Sequence, residues 1–222
     1  MGKYSSFKDL PKNSFWPTPI EPVTRLIPHL IHNQKFWEPC AGDGTLARHL
    51  VSFGLECVGM SDPFPQGKGI AKKSAQELGP MPNDVMFITN TPWPSREVTS
   101  KEIIEIISAL VDIAPTWALF KANIANNKYF SELPHCACIV PAGRPSWLGN
   151  GKGGKEDAAW YLFDNNHHTP TEQYPFPRDI LTFEDRDRDI KRLARNGLDI
   201  PEIAHHSGCY SGTVREVLWG AS

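Results

Sequence analysis

The sequence predicts an α/β protein with a mainly parallel sheet, an antiparallel hairpin at one edge of that sheet, and a small all-α module at the carboxyl end. Three observations predict it. Short apolar runs alternate with helix-like periods, a glycine-rich turn joins the first run to a helix, and a proline-rich stretch precedes the last helices. In such sheets ligands bind beyond the carboxyl ends of the strands.

The first predicted strand, Lys35 to Glu38, leads through Pro39-Cys40-Ala41-Gly42-Asp43-Gly44 into an amphipathic helix over Thr45 to Phe53. Gly42 and Gly44 permit positive φ angles and a close approach of a ligand to the backbone, and the helix presents N–H groups at its positive end. The spacing is not the Gly-x-Gly-x-x-Gly pattern of dinucleotide-binding proteins. We therefore expect a ligand-binding turn of another kind.

The next strand, Cys57 to Met60, ends in Ser61-Asp62. An open α/β sheet places a carboxylate there to accept hydrogen bonds from ribose hydroxyls, and Asp62 lies close to the usual offset of about 20 residues from the glycines. A plain strand-turn-helix connection with a surface aspartate is the alternative.

The third motif, Asn90-Thr91-Pro92-Trp93, follows the apolar run Val85 to Ile88. An exocyclic amino group of adenine or cytosine is a poor nucleophile, because its lone pair is delocalised into the ring, and two acceptors on its hydrogens favour the form that attacks. The Asn90 side-chain oxygen and a neighbouring backbone carbonyl would supply them, while Trp93 would stack on an extruded base. Asn-x-Pro is also ordinary turn chemistry.

The remaining elements of the sheet follow from apolar periodicity. We expect a helix over Lys101 to Ile113, a buried strand at Trp117 to Phe120 and another helix over Ile124 to Glu132. Two further strands, Cys136 to Val140 and Ala158 to Phe163, are predicted to pair in antiparallel fashion across a long loop.

That loop, Ala142 to Asp157, is rich in glycine and carries Arg144, Trp147, Lys152 and Lys155. A long insertion in a compact domain is rarely a mere connector, and basic groups beside an aromatic ring suit the gripping of DNA phosphates. A disordered loop is the alternative. The fragment resembles a phosphate-binding loop, but it lacks the Ser or Thr that should follow the lysine, which argues against nucleotide hydrolysis.

Taken in order, these segments resemble those of a known family over roughly the first 165 residues. Glu38 to Gly44 resembles the S-adenosylmethionine-binding motif of Rossmann-like methyltransferases, and Asn90 to Trp93 resembles the Asn-Pro-Pro-aromatic motif of DNA N6-adenine methyltransferases. Phe15 to Pro19, followed by the helix-like Glu21 to Leu30, is similar to the cofactor-contacting segment of the phage and plasmid members of that family.

The resemblance implies methyl transfer from S-adenosylmethionine to N6 of adenine in double-stranded DNA, with the base flipped out and no metal involved. The residues implied to act in catalysis are Asn90, Thr91, Pro92 and Trp93. Those implied to contact the cofactor are Trp16, Pro17, Thr18, Glu38, Pro39, Cys40, Ala41, Gly42, Gly44, Asp62 and Gln76. Thr91 stands where the family usually has proline, so the turn loses one fixed φ angle, and a slow or catalytically lapsed enzyme is the alternative.

The carboxyl end predicts a separate module. We expect a Rossmann-like methyltransferase domain over residues 1–166, a linker over 167–179 and a helix-turn-helix module over 180–222. The spacing of Ala204, Gly208 and Val214 is that of the DNA-binding motif. The residues then predicted to face the major groove include Ser211, Thr213 and Arg215. The alternative is a three-helix module for packing or dimerisation. A single small helix-turn-helix often works as a dimer, so a homodimer is among the partners considered.

Composition limits these interpretations. The chain has 222 residues, of which 40% are hydrophobic and 22% charged, and its formal net charge of −2 gives no broad basic footprint. Five scattered cysteines indicate reduced thiols in the cytoplasm and no zinc site. No apolar run reaches the roughly 18 residues of a membrane span. Two alternatives keep methyl transfer, to cytosine N4 or to RNA, and a third is a DNA-binding regulator that binds cofactor without turnover.

Overall fold

The structure, a computed structural model, describes residues 16–93, 98–166, 170–174 and 182–220. Its strands, in chain order β1 to β8, are Lys35–Glu38, Glu56–Asp62, Ala71–Lys72, Val85–Thr89, Thr116–Lys121, Cys136–Gly143, Ala158–Phe163 and Glu172–Gln173. Its α-helices, α1 to α6, are Ile20–Leu26, Thr45–Ser52, Ser100–Val111, Phe183–Arg195, Ile200–Ser207 and Ser211–Trp219. Residues 1–15, which include the predicted Phe15 contact, lie outside the described ranges.

The described strands form one sheet in the order β3-β2-β1-β4-β5-β7-β6-β8. Strands β1 to β5 pair in parallel, and β7 pairs antiparallel to both β5 and β6. The predicted mainly parallel sheet with an antiparallel hairpin is therefore confirmed.

Helices cover both faces of this sheet. Along β5, Trp117 and Leu119 pack into one apolar cluster with α1 and α2, whereas Ala118 and Phe120 pack into a second cluster with α3. This alternation is the period of two that a strand imposes on its side chains. Helices therefore shield both faces of the central strands from water, which explains why β5 and β7 are almost wholly apolar.

One edge of the sheet collects the segments of functional interest. Because β1, β2, β4 and β5 are parallel, the turns that follow them emerge at the same edge. The register pairs Lys121 with Ala158 and Ala158 with Gly143, so the loop between β6 and β7 starts and ends at that edge too.

Two predicted elements differ from the structure. The helix expected over Ile124 to Glu132 is two short 3-10 helices, Ile124–Asn126 and Lys128–Glu132, because Asn127 between them adopts an extended conformation. Within the predicted linker, Glu172–Gln173 forms an edge strand parallel to β6. Residues 167–169 and 175–179 of that linker, together with residues 180 and 181, lie outside the described part of the chain.

Helices α4, α5 and α6 pack around a small apolar core of their own, and Gly208 ends α5 with a positive φ of 63°. The group also docks on the sheet domain. The buried Arg186 side chain donates hydrogen bonds to the carbonyl oxygens of Ile27, Pro28 and Leu30. These bonds hold α4 against the chain segment that follows α1.

In the described ranges, no helix is both long enough and apolar enough to cross a membrane.

Candidate active site

Two turns at the functional edge hold most of the predicted site residues. The glycine turn, Pro39 to Gly44, follows β1, and the asparagine turn, Asn90 to Trp93, follows the neighbouring strand β4. In the glycine turn Gly42 and Gly44 have φ angles of 54° and 79°, so glycine is required there for conformational reasons.

Hydrogen bonds tie the glycine turn to β2. The Ala41 N–H donates to the Ser61 carbonyl at 3.0 Å, and the Gly42 N–H donates to Asp62 Oδ2 at 2.8 Å. The other Asp62 oxygen accepts from the Phe64 N–H at 2.7 Å. Asp62, predicted to receive a ribose, thus also fixes the backbone on either side of that position.

Carboxylates occupy the amino end of α2. Glu38, only 1% exposed, accepts from the Ala47 N–H at 3.0 Å, and Asp43 accepts from the Thr45 N–H at 2.9 Å. A bound diphosphate would need such amides free. The pairing therefore disfavours a dinucleotide and agrees with the absence of the dinucleotide pattern from the sequence.

Burial raises the pKa of Glu38 well above its ordinary value, and the nearby Asp43 and Asp62 raise it further. A raised pKa favours the neutral, protonated form of Glu38, so the negative potential at this turn comes from Asp43 and Asp62, and it suits a positively charged ligand. Burial also raises the pKa of the Cys40 thiol to about 12, so Cys40 stays protonated at neutral pH and is no nucleophile.

The predicted adenine contact lies further along the same edge. Gln76 belongs to a 3-10 helix, Ala75–Glu77, which Ser74 and Glu77 cap reciprocally. Ala75 is buried and Gln76 is exposed. The Gln76 side chain is accordingly accessible to a ligand.

The asparagine turn differs from the glycine turn in having unsatisfied polar atoms. Asn90 Nδ2 donates to Thr18 Oγ1 at 3.1 Å, while Asn90 Oδ1 is buried and has no hydrogen-bond partner among the described residues. Thr91 is 2% exposed, and its Oγ1 likewise lacks a partner among those residues. Buried polar atoms are nearly always paired in native proteins, so an acceptor left open marks a place for a ligand donor.

Trp93 belongs to a cluster of three tryptophans. Its Nε1 donates to the Leu119 carbonyl at 3.0 Å, which fixes the indole against β5. The Trp147 ring packs edge-on against Trp93 at 5.2 Å and against Trp16 at 6.4 Å between ring centroids. The glycine-rich loop and the amino-terminal segment therefore both reach the asparagine turn.

The glycine-rich loop has internal bonds of its own. Arg144 pairs with Asp157 at 2.7 Å across the base of the loop, and the Gly154 N–H donates to the Pro145 carbonyl at 2.9 Å. A side chain at position 154 would lie 2.8 Å from the Trp147 ring, so this glycine makes room for the indole. Lys152 and Lys155 are exposed, whereas the Arg144 charge is balanced by a carboxylate, which weakens its predicted role in gripping phosphate.

The prediction that Ser211 and Thr213 face a DNA groove is wrong for the observed docking. Both residues are buried. The Ser211 N–H donates to Glu172 Oε2 at 3.1 Å, and Thr213 Oγ1 donates to the His29 carbonyl at 2.7 Å. The amino end of α6 is thus a contact with the sheet domain. Arg215 is exposed, and its role in DNA binding stays a prediction.

Across the described ranges, no group of three or more His, Cys, Asp or Glu side chains has the arrangement of a metal site.

Sequence reasoning found both turns but missed two contacts that join them to distant segments. Thr18 was assigned to the cofactor, yet it bonds to Asn90. Trp16 and Trp147 were assigned to separate functions, yet they touch. The only feature of the sequence that hinted at the tryptophan contacts was the presence of tryptophan in each of three segments predicted to lie near a ligand.

No protein-family model matches the sequence, and no curated protein does. Similar solved structures include an inferred RNA methyltransferase, PH1948 from Pyrococcus horikoshii, with 15% identity over 73% of this chain and 93% of the other and a TM-score of 0.49. The 23S rRNA methyltransferase ErmE has 12% identity over 81% of this chain and 77% of its own, with a TM-score of 0.41. The order and direction of the described strands make this an α/β fold with a mainly parallel sheet, and likeness at these identities and TM-scores says nothing of the substrate.

Proposed function

We propose that this chain transfers a methyl group from S-adenosylmethionine to the N6 amino group of an adenine in DNA. The observation that carries the proposal is the Asn90 side chain. Its amide nitrogen is held by Thr18 and its oxygen is buried without a partner among the described residues, in a turn whose Trp93 indole is fixed against β5. An open acceptor and an aromatic ring in one turn suit a nucleobase amine.

The glycine turn suits the cofactor. S-adenosylmethionine supplies an electrophilic methyl group on a positively charged sulfur. The backbone of Gly42 to Gly44 would lie against its methionine part, Asp62 would accept from its ribose, and Gln76 would reach its adenine. The negative potential of Asp43 and Asp62 favours a cationic ligand over an anionic one.

In the proposed reaction the chain contributes orientation and charge stabilisation. Trp93 would stack on the flipped base, and Asn90 Oδ1 and a backbone carbonyl of the same turn would accept the two N6 hydrogens. As the nitrogen–carbon bond forms and the carbon–sulfur bond breaks, positive charge grows on N6, so both hydrogen bonds strengthen towards the transition state. N6 then loses one proton to solvent, which leaves a neutral methylated amine.

Thr91 does not remove these acceptors. A threonine at this position keeps its backbone carbonyl, and only the fixed φ angle of proline is lost. The proposal is therefore compatible with turnover.

The experiment is transfer of radiolabelled methyl from S-adenosylmethionine to a duplex that contains adenine. We expect label in N6-methyladenine, and a loss of about 100-fold or more in kcat for Asn90→Ala, the size of effect seen when one pre-organised hydrogen-bonding group is removed. Asn126→Ala, at an exposed position in a 3-10 helix, is the matched control and should leave the rate unchanged.

The alternatives give different outcomes. Label on a duplex that has cytosine but no adenine would indicate cytosine N4, and label on an RNA of the same sequence but not on DNA would indicate an RNA substrate. Either result would overturn the proposed substrate and keep methyl transfer. Cofactor binding without label on any nucleic acid would overturn methyl transfer itself and favour a DNA-binding regulator.

A further inference from the structure

We propose that Thr18 is a positioning residue that sets the orientation of the Asn90 carboxamide, so that the oxygen and not the nitrogen faces the target amine. This inference rests on the proposed function. It goes beyond the cofactor contact expected for Thr18 from the sequence. Its basis is the hydrogen bond of 3.1 Å from Asn90 Nδ2 to Thr18 Oγ1, which joins residues 72 positions apart.

The two ends of a carboxamide have nearly the same shape but opposite hydrogen-bonding character. An adenine amine is a donor towards the turn, so only Oδ1 can receive it. If the Asn90 side chain rotated by half a turn, two N–H donors would face a third donor, and the base would be repelled. The orientation of Asn90 therefore decides whether the site can bind its substrate productively.

Thr18 is well placed to fix that orientation. It is 3% exposed, and its hydroxyl oxygen accepts the Asn90 amide hydrogen, which anchors the nitrogen end away from the open acceptor. Thr18 is buried and Asn90 is half-buried, so water has restricted access to this hydrogen bond.

The backbone around Thr18 is restricted as well. Pro17 and Pro19 flank it, each with a ring-fixed φ angle, and the residue before a proline is held in an extended conformation. Helix α1 begins directly after Pro19, and the Trp160 indole donates to the Pro22 carbonyl at 2.8 Å within the sheet core. The hydroxyl is thus presented from a rigid segment, as a positioning group requires.

Kinetic measurements distinguish the two roles considered for Thr18, a cofactor contact and a positioning residue for Asn90. A cofactor contact lowers the dissociation constant of S-adenosylmethionine, whereas a residue that orients Asn90 acts on kcat after the cofactor is bound. Thr18→Val removes the hydroxyl and keeps the shape of the side chain. Thr18→Ser keeps the hydroxyl. Thr116→Val is the matched control, because Thr116 is equally buried and bonds to the Ala114 carbonyl, but it lies at the amino end of β5, away from the functional edge.

We expect Thr18→Val to lower kcat at saturating cofactor by about 10- to 100-fold, as misplacement of a reacting group does. The cofactor dissociation constant should stay within about twofold, a change in binding free energy smaller than RT. Thr18→Ser should restore kcat to within about threefold of the wild type, and Thr116→Val should not lower it. A weaker cofactor affinity with unchanged kcat, or equal losses in Thr18→Val and Thr116→Val, would overturn the inference.

A second readout is independent of turnover. The side-chain amide of Asn90, assigned in an NMR spectrum by its loss in Asn90→Ala, should exchange slowly with solvent in the wild type and in Thr18→Ser, and faster in Thr18→Val. Equal exchange in all three proteins would refute the positioning role. If the wild type transfers no methyl group, the proposed function fails, and this spectrum still decides whether Thr18 orients Asn90.

Discussion

The glycine turn and the asparagine turn follow adjacent, hydrogen-bonded strands, yet they differ in whether their polar groups have hydrogen-bond partners. Around the glycine turn Glu38, Asp43 and Asp62 accept from backbone N–H groups. In the asparagine turn, Asn90 Oδ1 and Thr91 Oγ1 are buried with no partner in the described part of the chain. Leaving a buried polar atom unpaired costs about 1 to 3 kcal/mol.

The contrast assigns different tasks to the two turns. The hydrogen bonds of the glycine turn are already formed in the free protein, as those of a pre-organised cofactor surface should be. The asparagine turn holds an acceptor open for a group that arrives from outside. Through Trp93, the tryptophan cluster joins the asparagine turn to two distant segments.

The largest of the effects that would sharpen this comparison is expected at Trp147. Trp147→Ala removes the ring that packs edge-on against Trp93, so Trp93 loses a contact that holds it in place to stack on the flipped base. We expect KM for DNA to rise by about 10- to 100-fold, in line with about 1 to 3 kcal/mol per stacked base, with cofactor affinity unchanged. Steady-state kinetics with varied duplex measure it. Trp219→Ala, at a tryptophan that is 71% exposed on α6, is the control, and an equal rise there would remove the special role of Trp147.

The second effect concerns the glycine turn alone. Gly44→Ala places a side chain at a φ of 79°, within 3.3 Å of the Met60 sulfur and the Arg48 guanidinium. We expect a loss of about 1 to 2 kcal/mol in the free energy of unfolding and a cofactor affinity about tenfold lower, measured by denaturant titration and calorimetry.

Gly197→Ala separates backbone strain from ligand binding. Gly197 has a φ of 87° and open space around it, in the helical group far along the chain. It should lose similar stability without a change in cofactor affinity. If both variants bind the cofactor as the wild type does, the glycine turn is not the cofactor site.

The third effect is a dependence of stability on pH. The pKa of Glu38 is raised in the folded protein above its ordinary value of 4.5, so the folded state holds this proton more tightly than the unfolded state. The free energy of unfolding should therefore fall as pH rises above 4.5, by up to about 1.4 kcal/mol per pH unit, until the folded pKa is passed. Urea titrations at several pH values measure the slope, which Glu38→Gln should flatten.

At Glu102 the free energy of unfolding is expected to change with pH in the opposite direction. Its pKa is lowered by the hydrogen bond from the Thr99 N–H, so its contribution to stability is present above pH 4.5 and is lost as pH falls through the folded pKa. Glu102→Gln should thus lower the free energy of unfolding at neutral pH. A Glu38→Gln protein with the same pH profile as the wild type would show that Glu38 is not held in its protonated form.

The smallest effect is expected at Thr91. Thr91→Val replaces an unpaired buried hydroxyl by a methyl group, so the free energy of unfolding should rise by up to about 1 kcal/mol. Thr116→Val removes a hydroxyl that is bonded at 3.0 Å and should lower it by about 1 kcal/mol. Thermal or urea unfolding compares the two, and a loss of stability at Thr91 would mean that its hydroxyl is satisfied in the free protein.

Local patterns were sufficient to predict the sheet and both turns. The apolar run of β4, the glycines with positive φ and the antiparallel pairing of β6 with β7 are all encoded by neighbouring residues. The two-residue strand β8 was not foreseen, because Glu172 and Gln173 have no apolar period and are ordered by pairing with Cys138 and Ile139.

Contacts between distant segments could not be predicted. The spacing of Ala204, Gly208 and Val214 describes how α5 packs on α6, but it does not say that the amino end of α6 is capped by Glu172. For the same reason the sequence gives no sign that Thr18 meets Asn90. The geometry of the fold brings these groups together, and no local propensity reports it.

The most direct test of the central claim is a crystal structure of the protein with a cofactor analogue and a duplex that contains the target adenine. We predict a flipped adenine whose N6 lies about 2.7 to 3.2 Å from Asn90 Oδ1, with its ring against Trp93. An adenine that remains stacked in the duplex, or an N6 that is bound elsewhere while Asn90 Oδ1 stays unpaired, would contradict the account.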